Sequence, residues 1–307
     1  MQKKTIKSVL RRKLEDWVKS IDDTSLVEKI NRDAICTGGA IANMLMGEPV
    51  NDFDFYFKTK ETALAVATYY VERFKKNPPS RFKDDPNKIV NIQVQELVDR
   101  VKIVIKSQGI AGEEGTSDYQ YFESVDDPSE PREFVENIMK DKEEADQKEN
   151  KAKYRPVFIT SNAISLSEHV QLVTRFYGDV EQIHENYDFV HCTCAWEAET
   201  GKLTLPHEAL VSLLNKRLKY KHSKYPLCSF IRTRKFLQRG WHIDAGQYVK
   251  MAWDLNKLDL TDVNTLEDQM IGVDSAYFAQ VIELLREKNG DKVDETYLVQ
   301  IIDRIFG

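Results

Sequence analysis

The sequence predicts an α+β protein: a mixed sheet with flanking helices, followed by an all-helical C-terminal domain. Three observations predict it. Apolar residues recur at helical spacing over 5–20, where Ile6, Val9, Leu10, Leu14, Trp17 and Val18 share one face. Short runs that alternate or are rich in β-branched and aromatic residues then appear at 34–37, 51–57, 100–106, 156–160, 163–166 and 170–176. From Pro206 onward the helical period returns and lasts to the end of the sequence, with breaks near Pro226, Gly240, Gly272 and Gly290. The expected divisions are N-terminal helices over 1–33, a mixed domain over 34–205 and a helical domain over 206–307.

Taken in order, a second helix is expected over 24–32 with Thr24 or Ser25 as its N-cap. A short strand follows at 34–37, then Gly38-Gly39, then the apolar helical run AIANMLM closed by Gly47. Asn51-Asp52-Phe53-Asp54-Phe55 alternates polar and aromatic residues, as a strand with two unlike faces does. Residues 61–76 return to a helical period through Leu64, Ala67, Tyr70, Val71 and Phe74. A short helix over 179–185 leads into Tyr187-Asp188-Phe189-Val190-His191-Cys192, which also alternates and reads as a strand.

Composition narrows the function classes. The 307 residues are 41% hydrophobic and 31% charged, enough for a sizeable core with a polar surface. No run approaches the length of a membrane-spanning helix, the N-terminal stretch lacks the apolar core of a secretory signal, and four cysteines without a CxxC pair make no disulfide framework. A cytoplasmic protein with no membrane contact and no disulfide-linked partner is expected. The net charge of −6 is uneven: residues 113–149 hold 14 Asp/Glu against 4 Lys/Arg, whereas 209–243 hold 9 Lys/Arg and no carboxylate. The acidic stretch, within about 109–155, reads as a solvated insertion, and the basic tract as a surface suited to polyanions.

The chemistry-bearing constellation is Gly38-Gly39, a helix, then Asp52-x-Asp54 on a strand. Strand residues two apart share a face, so Asp52 and Asp54 can share a hard divalent cation, Mg²⁺ or Mn²⁺, while Phe53 and Phe55 enter the core. Two glycines ahead of a helix let the backbone approach phosphate, with the N-terminal N–H groups aimed at it. A third carboxylate on a neighbouring strand would complete the metal set; Asp188 is the candidate and Glu181 the substitute. A DxD alone is common on solvated strand edges; the preceding Gly-Gly at this spacing is what makes it informative. His191, Cys192 and Cys194 lack a second ligand pair and read as core. Tyr220, Tyr225 and Trp241, near the basic tract, read as helical core, with stacking on a base as the alternative.

With these residues in view, GG-x12-DxD, with MLMGEPVNDFDFYF closing it, resembles the nucleotidyltransferases of DNA polymerase β type. It is most similar to the head domains of CCA-adding enzymes and bacterial poly(A) polymerases, whose pattern is GGxVRDxLLGxxxxDxDxx. Downstream, IRTRKFLQRGWHID at 231–244 resembles their LRAIRFAARLGFxID segment, which sets Arg232 and Lys235 on its two basic positions. The chain departs from the family at Ala42-Asn43, where the pattern has Arg-Asp, and in having only Tyr187-Asp188-Phe189 where RRDFTINA would stand. The divergence resembles phage-encoded or toxin-type members.

The resemblance implies a nucleotidyltransferase-type sheet and NMP transfer from an NTP to an acceptor hydroxyl. Asp52, Asp54 and Asp188 would be catalytic and metal-ligating. Gly38, Gly39, Arg232, Arg234 and Lys235 would bind nucleotide. An RNA acceptor, a tRNA 3′ end above all, is expected; the alternatives are a protein or small-molecule hydroxyl, or an inactive head domain kept for RNA binding or assembly.

Overall fold

A computed structural model describes residues 1–77, 92–98, 100–105, 153–160, 162–262, 265–266, 269 and 295–306. The acidic insertion, apart from 153–155, and the breaks at Gly272 and Gly290 lie outside the described residues. Two compact units divide the chain. The first holds the described residues of Met1–Ser124, Asp141–Ile183 and Cys194–Leu205; the second holds those of His184–Thr193 and Pro206–Gly307.

The first unit begins with helices α1 (Lys3–Val18) and α2 (Thr24–Asp33). Ile6, Leu10, Leu14 and Trp17 form the buried stripe of α1. The cap of α2 is Asp23 rather than Thr24 or Ser25: its carboxylate accepts from Leu26 N at 3.1 Å, because the helix starts one residue ahead of the expected boundary. Next come β1 (Ala34–Thr37), α3 (Gly39–Met46), β2 (Phe53–Phe57) and α4 (Lys60–Lys76). Gly47 ends α3 at φ 73°, a left-handed cap that costs glycine no Cβ strain. Thr59 caps α4, and Arg73, Lys75 and Lys76 sit where the helix dipole favours positive charge.

Strands β3 (Ile92–Glu96) and β4 (Val101–Ile105) form a separate antiparallel pair. Then follow β5 (Pro156–Ile159), β6 (Ala163–Leu166), β7 (Val170–Tyr177) and the short helix α5 (Val180–His184). After the excursion into the second unit come β8 (Ala195–Glu197) and β9 (Leu203–Thr204). The main sheet runs β5-β6-β7-β2-β1-β8-β9. It is mixed: β2 and β7 pair in parallel, the other neighbours antiparallel.

Burial explains the two faces of β2. Phe53, Phe55 and Phe57 are buried, and Phe55 stacks against Trp17 of α1 at 5.1 Å between ring centroids. Trp17 donates to the Tyr70 hydroxyl of α4 at 2.7 Å, so its polar edge is satisfied inside the core. Asp33, at the end of α2, accepts from Arg32 and from the Thr59 and Thr62 hydroxyls at the start of α4. Burial opposes its charge, but these donors outweigh it and hold the carboxyl down to about 2.

The second unit opens with a 3₁₀ turn at Val190–Cys192, where the alternation had predicted a strand. Only a lone bridge, Phe189 to Tyr220, keeps strand character there. Then come α6 (His207–Asn215), β10 (Arg217–Leu218), α7 (Pro226–Gln238), β11 (His242–Ile243), α8 (Ala245–Leu255) and α9 (Glu295–Phe306). The unit is therefore not purely helical. β10 and β11 pair in parallel with Arg217 beside His242, because Leu218 and Tyr220 alternate with cations instead of following a helical period. Phe189, His191, Phe236 and Trp241 pack ring against ring as its core. Among the described residues, no helix is long and apolar enough to cross a membrane.

Candidate active site

Strand β1 ends at Thr37, whose hydroxyl donates to the Cys194 carbonyl at 2.8 Å and ties the β1 end to the chain entering β8. Gly38 follows at φ 94°, ψ −148°, a backbone conformation that excludes side chains in practice and turns the chain straight into α3. A Cβ placed on Gly39 would meet nothing within 4 Å, so the first turn of α3 faces open space at that point. The N-cap position makes no side-chain hydrogen bond. The first N–H groups of α3 are oriented as they would be for an incoming anion.

Asp52 precedes β2 and Asp54 lies within it, both half-buried, with Asp54 alternating with the buried Phe53 and Phe55. The charge of Asp54 is felt nearby: burial first, and Asp54 second, push the Cys36 thiol up. On the parallel neighbour β7, Gln171 is the partner of Asp54. Neither flanking strand, AICT or VQLVTRFY, contains a carboxylate. The amide of Gln171 thus occupies the level at which a third acid on an adjacent strand was expected. Sequence reasoning missed Gln171, since only strand order and register single it out. At the open end of β2, Phe53 N donates to the carbonyl of His169 at 2.8 Å, and Glu168 and His169 both hold left-handed backbone angles, φ 65° and 59°.

Asp188 belongs to the second unit and to none of the strands of the main sheet. It is 7% exposed. One carboxylate oxygen accepts from its own neighbour Phe189 N at 2.9 Å; the other accepts from the Ser229 hydroxyl at 3.3 Å and from Arg232 in a short ion pair. Its carbonyl accepts from Lys221 N at 2.7 Å. The structure therefore brings two expected site residues together, Asp188 and Arg232, but as each other's counter-ion. Among the described residues, no group of three or more His, Cys, Asp or Glu side chains could hold a metal ion. Glu181, the substitute, is exposed in the first turn of α5, where the helix dipole suits it. Arg234 and Lys235 are exposed on α7.

Asp54 of β2 and Asp52 just ahead of it are hard oxygen donors two residues apart. Two such donors fit Mg²⁺, which commonly takes one or two carboxylates and fills its other positions with water and substrate phosphate. The proposed base-stacking rings do not fit that role: Tyr220, Tyr225 and Trp241 are 1%, 8% and 4% exposed. His191 packs between Trp241 and Phe236 at 4.4 and 4.7 Å, and burial, followed by the charge of Arg239, lowers it to about 3, so it is a neutral core ring.

A sequence profile of the family described as Gad2, Gabija anti-defense 2 family protein, matches residues 8–216. Gabija anti-defense 2 of Bacillus phage SPbetaL7 is 24% identical over 133 residues, a match covering 43% of this chain and 32% of that protein. This chain is thus aligned with about a third of the length of its curated relative. Among solved structures, the Thermotoga maritima CCA-adding enzyme complexed with tRNA is 12% identical with a TM-score of 0.40, covering 95% of this chain and 68% of that one. The Bacillus stearothermophilus CCA-adding enzyme in complex with CTP is 12% identical with a TM-score of 0.33, covering 87% and 51%. The family profile spans more than half of the sequence, from within α1 to the end of α6, and this chain belongs to the Gabija anti-defense 2 family.

Proposed function

We propose that the chain is a metal-dependent nucleotidyltransferase, moving NMP from an NTP to an acceptor hydroxyl with release of pyrophosphate. The observation that carries this reading is the two-residue spacing of Asp52 and Asp54 at the start of β2, together with the Gly38 turn and the open start of α3. In it, Asp52 and Asp54 hold Mg²⁺ or Mn²⁺, which when bound neutralises the triphosphate and lowers the pKa of the acceptor hydroxyl. The Gly38-Gly39 backbone and the first N–H groups of α3 receive the phosphates and orient the α-phosphorus for in-line attack. Asp188 and Arg232 act in this reading as a mutual pair that fixes α7, not as ligands of metal or nucleotide; Arg234 and Lys235 remain candidates for phosphate contact. The acceptor is an RNA 3′ end, with a protein or small-molecule hydroxyl as the alternative. The relative's name, Gabija anti-defense 2, supports directing the modification against that defence.

The test is incubation of the full chain with each α-³²P-labelled NTP, Mg²⁺, and total RNA or total protein. Label should enter the RNA fraction and be lost on Asp52→Ala or Asp54→Ala; label in protein would move the acceptor, and full labelling by either variant would end the reading. A second reading is that of a non-catalytic module that opposes the defence by binding, favoured by the absence of a three-donor metal cluster among the described residues. It predicts no Mg²⁺-dependent thermal shift with any NTP.

A further inference from the structure

The second unit contains a groove of about 720 Å³ that the catalytic reading leaves without a role. Its walls are α6, β10, β11 and the start of α8, all within that unit. The register of the parallel pair sets Arg217 directly beside His242, on strands about 4.8 Å apart. Lys219 follows Arg217 two residues along an extended segment in which Leu218 and Tyr220 are buried and Arg217, Lys219 and Lys221 are exposed. The backbone of this segment is held on both sides: His242 N donates to the Lys216 carbonyl at 2.8 Å, Val190 N to the Lys219 carbonyl at 3.0 Å and Lys221 N to the Asp188 carbonyl at 2.7 Å. Arg217 and Lys219 therefore stand on a fixed rail, about 6.6 Å apart, while the Lys221 ammonium donates to the His184 carbonyl at 2.8 Å. His207 and Asn215 extend the polar lining, and Val211, 42% exposed, gives it an apolar wall.

We infer that this groove binds the sugar–phosphate backbone of a single-stranded nucleic acid. A repeat of about 6.6 Å between cations is close to that of successive phosphates in an extended strand, and Val211 offers a surface for a sugar or base. Arg217 and Lys219 are at present answered by Asp244 at 3.6 Å and Glu208 at 2.9 Å, pairs whose four side chains are 52–64% exposed. Such solvated pairs exchange readily for phosphate, which adds released counterions to the driving force. The groove thus reads as a basic track masked by two weakly held carboxylates. The inference rests on the catalytic reading only for the strand's purpose, as the acceptor; binding itself does not require it.

The test uses the full chain and fluorescent 12-nucleotide single-stranded RNA and DNA, with anisotropy read over a range of salt. Arg217→Gln/Lys219→Gln should weaken binding about tenfold or more at low salt and reduce the slope of log K against log salt by about 1.4, two phosphates at about 0.7 each. Glu208→Gln/Asp244→Asn should tighten it. A Lys4→Gln/Lys7→Gln control, at exposed sites on α1, has the same charge change and should lose little. Equal loss in the control, no loss in the groove variant, or displacement of the strand by a mononucleotide at similar concentration would overturn the inference. Ultraviolet crosslinks outside 207–247 in the wild-type protein would do the same without any variant. A wild-type protein whose groove binds but which never transfers label refutes the catalytic reading alone.

Discussion

The two places where the chain keeps aspartates of interest solve the cost of a carboxylate in opposite ways. At β2, Asp52 and Asp54 are half-buried, with the amide of Gln171 rather than a third acid alongside Asp54. In the second unit, Asp188 is buried and its charge is met by Arg232, Ser229 and a backbone N–H. Partial exposure lets solvent stabilise a carboxylate, whereas a buried one needs hydrogen bonds and a counter-charge. The same residue type is therefore half-buried on a sheet in one unit and a buried ion-pair partner in the other.

The widest separation between the two should come from substituting each in turn. Asp54→Asn is expected to lower transfer on the order of 10³-fold, as loss of a group placed against developing charge does, while shifting stability by less than about 0.5 kcal/mol. Asp188→Ala should behave inversely, costing about 3–5 kcal/mol by removing one partner of a largely buried ion pair. Chemical denaturation of both variants checks the contrast, and a stable Asp188→Ala protein would erase it. Asp188→Asn combined with Arg232→Gln should lose less than the two single changes together, which a double-mutant cycle reads directly.

Acid should act mainly on the second unit through its neutral histidines. Burial, with Lys221 and Arg239 adding to it, lowers His184 to about 4 and His191 to about 3. The unfolded chain takes up these protons near pH 6.5, while the folded protein refuses them until near 4 and 3. Stability is therefore complete above about pH 6.5 and falls as pH drops from there toward 3. His191→Phe should flatten part of that decline, measured as the thermal midpoint of the full chain between pH 7 and 4; an unchanged slope would place the acid sensitivity elsewhere.

The smallest effect expected is at Gln171→Glu. A third carboxylate level with Asp54 should cost about 0.2–1 kcal/mol without metal, as like charges across a strand pair do, and recover it with Mg²⁺. Thermal midpoints with and without Mg²⁺ report both signs. A variant indifferent to Mg²⁺ would count against a cation at Asp52 and Asp54.

Local pattern was sufficient where one element's face decided burial. The stripe Ile6, Leu10, Leu14, Trp17 marked α1, Gly47 marked the end of α3, and the alternation from Phe53 to Phe55 marked the strand β2. It failed where alternation had another cause. Tyr187 to Cys192 alternates because a 3₁₀ turn buries Phe189, Val190 and His191 among rings of the second unit. Leu218 and Tyr220 alternate with cations inside a tract taken as helical, because that segment runs extended beside β11. The strand β3 was missed altogether: only Ile92 of its residues is fully buried, so its apolar signal is weak, and its partner β4 is what makes it a strand.

What the sequence by itself determined is local: the period of each apolar face, the glycine that alone can take φ 94° before α3, and the two-residue spacing of Asp52 and Asp54 at the start of β2. Only the tertiary structure decided the partners. Strand order put Gln171 beside Asp54, and the second unit's packing gave Asp188 to Arg232. Spacing along a chain constrains residues within one turn or strand, whereas which distant charge answers a carboxylate depends on contacts that exist only after the elements have packed.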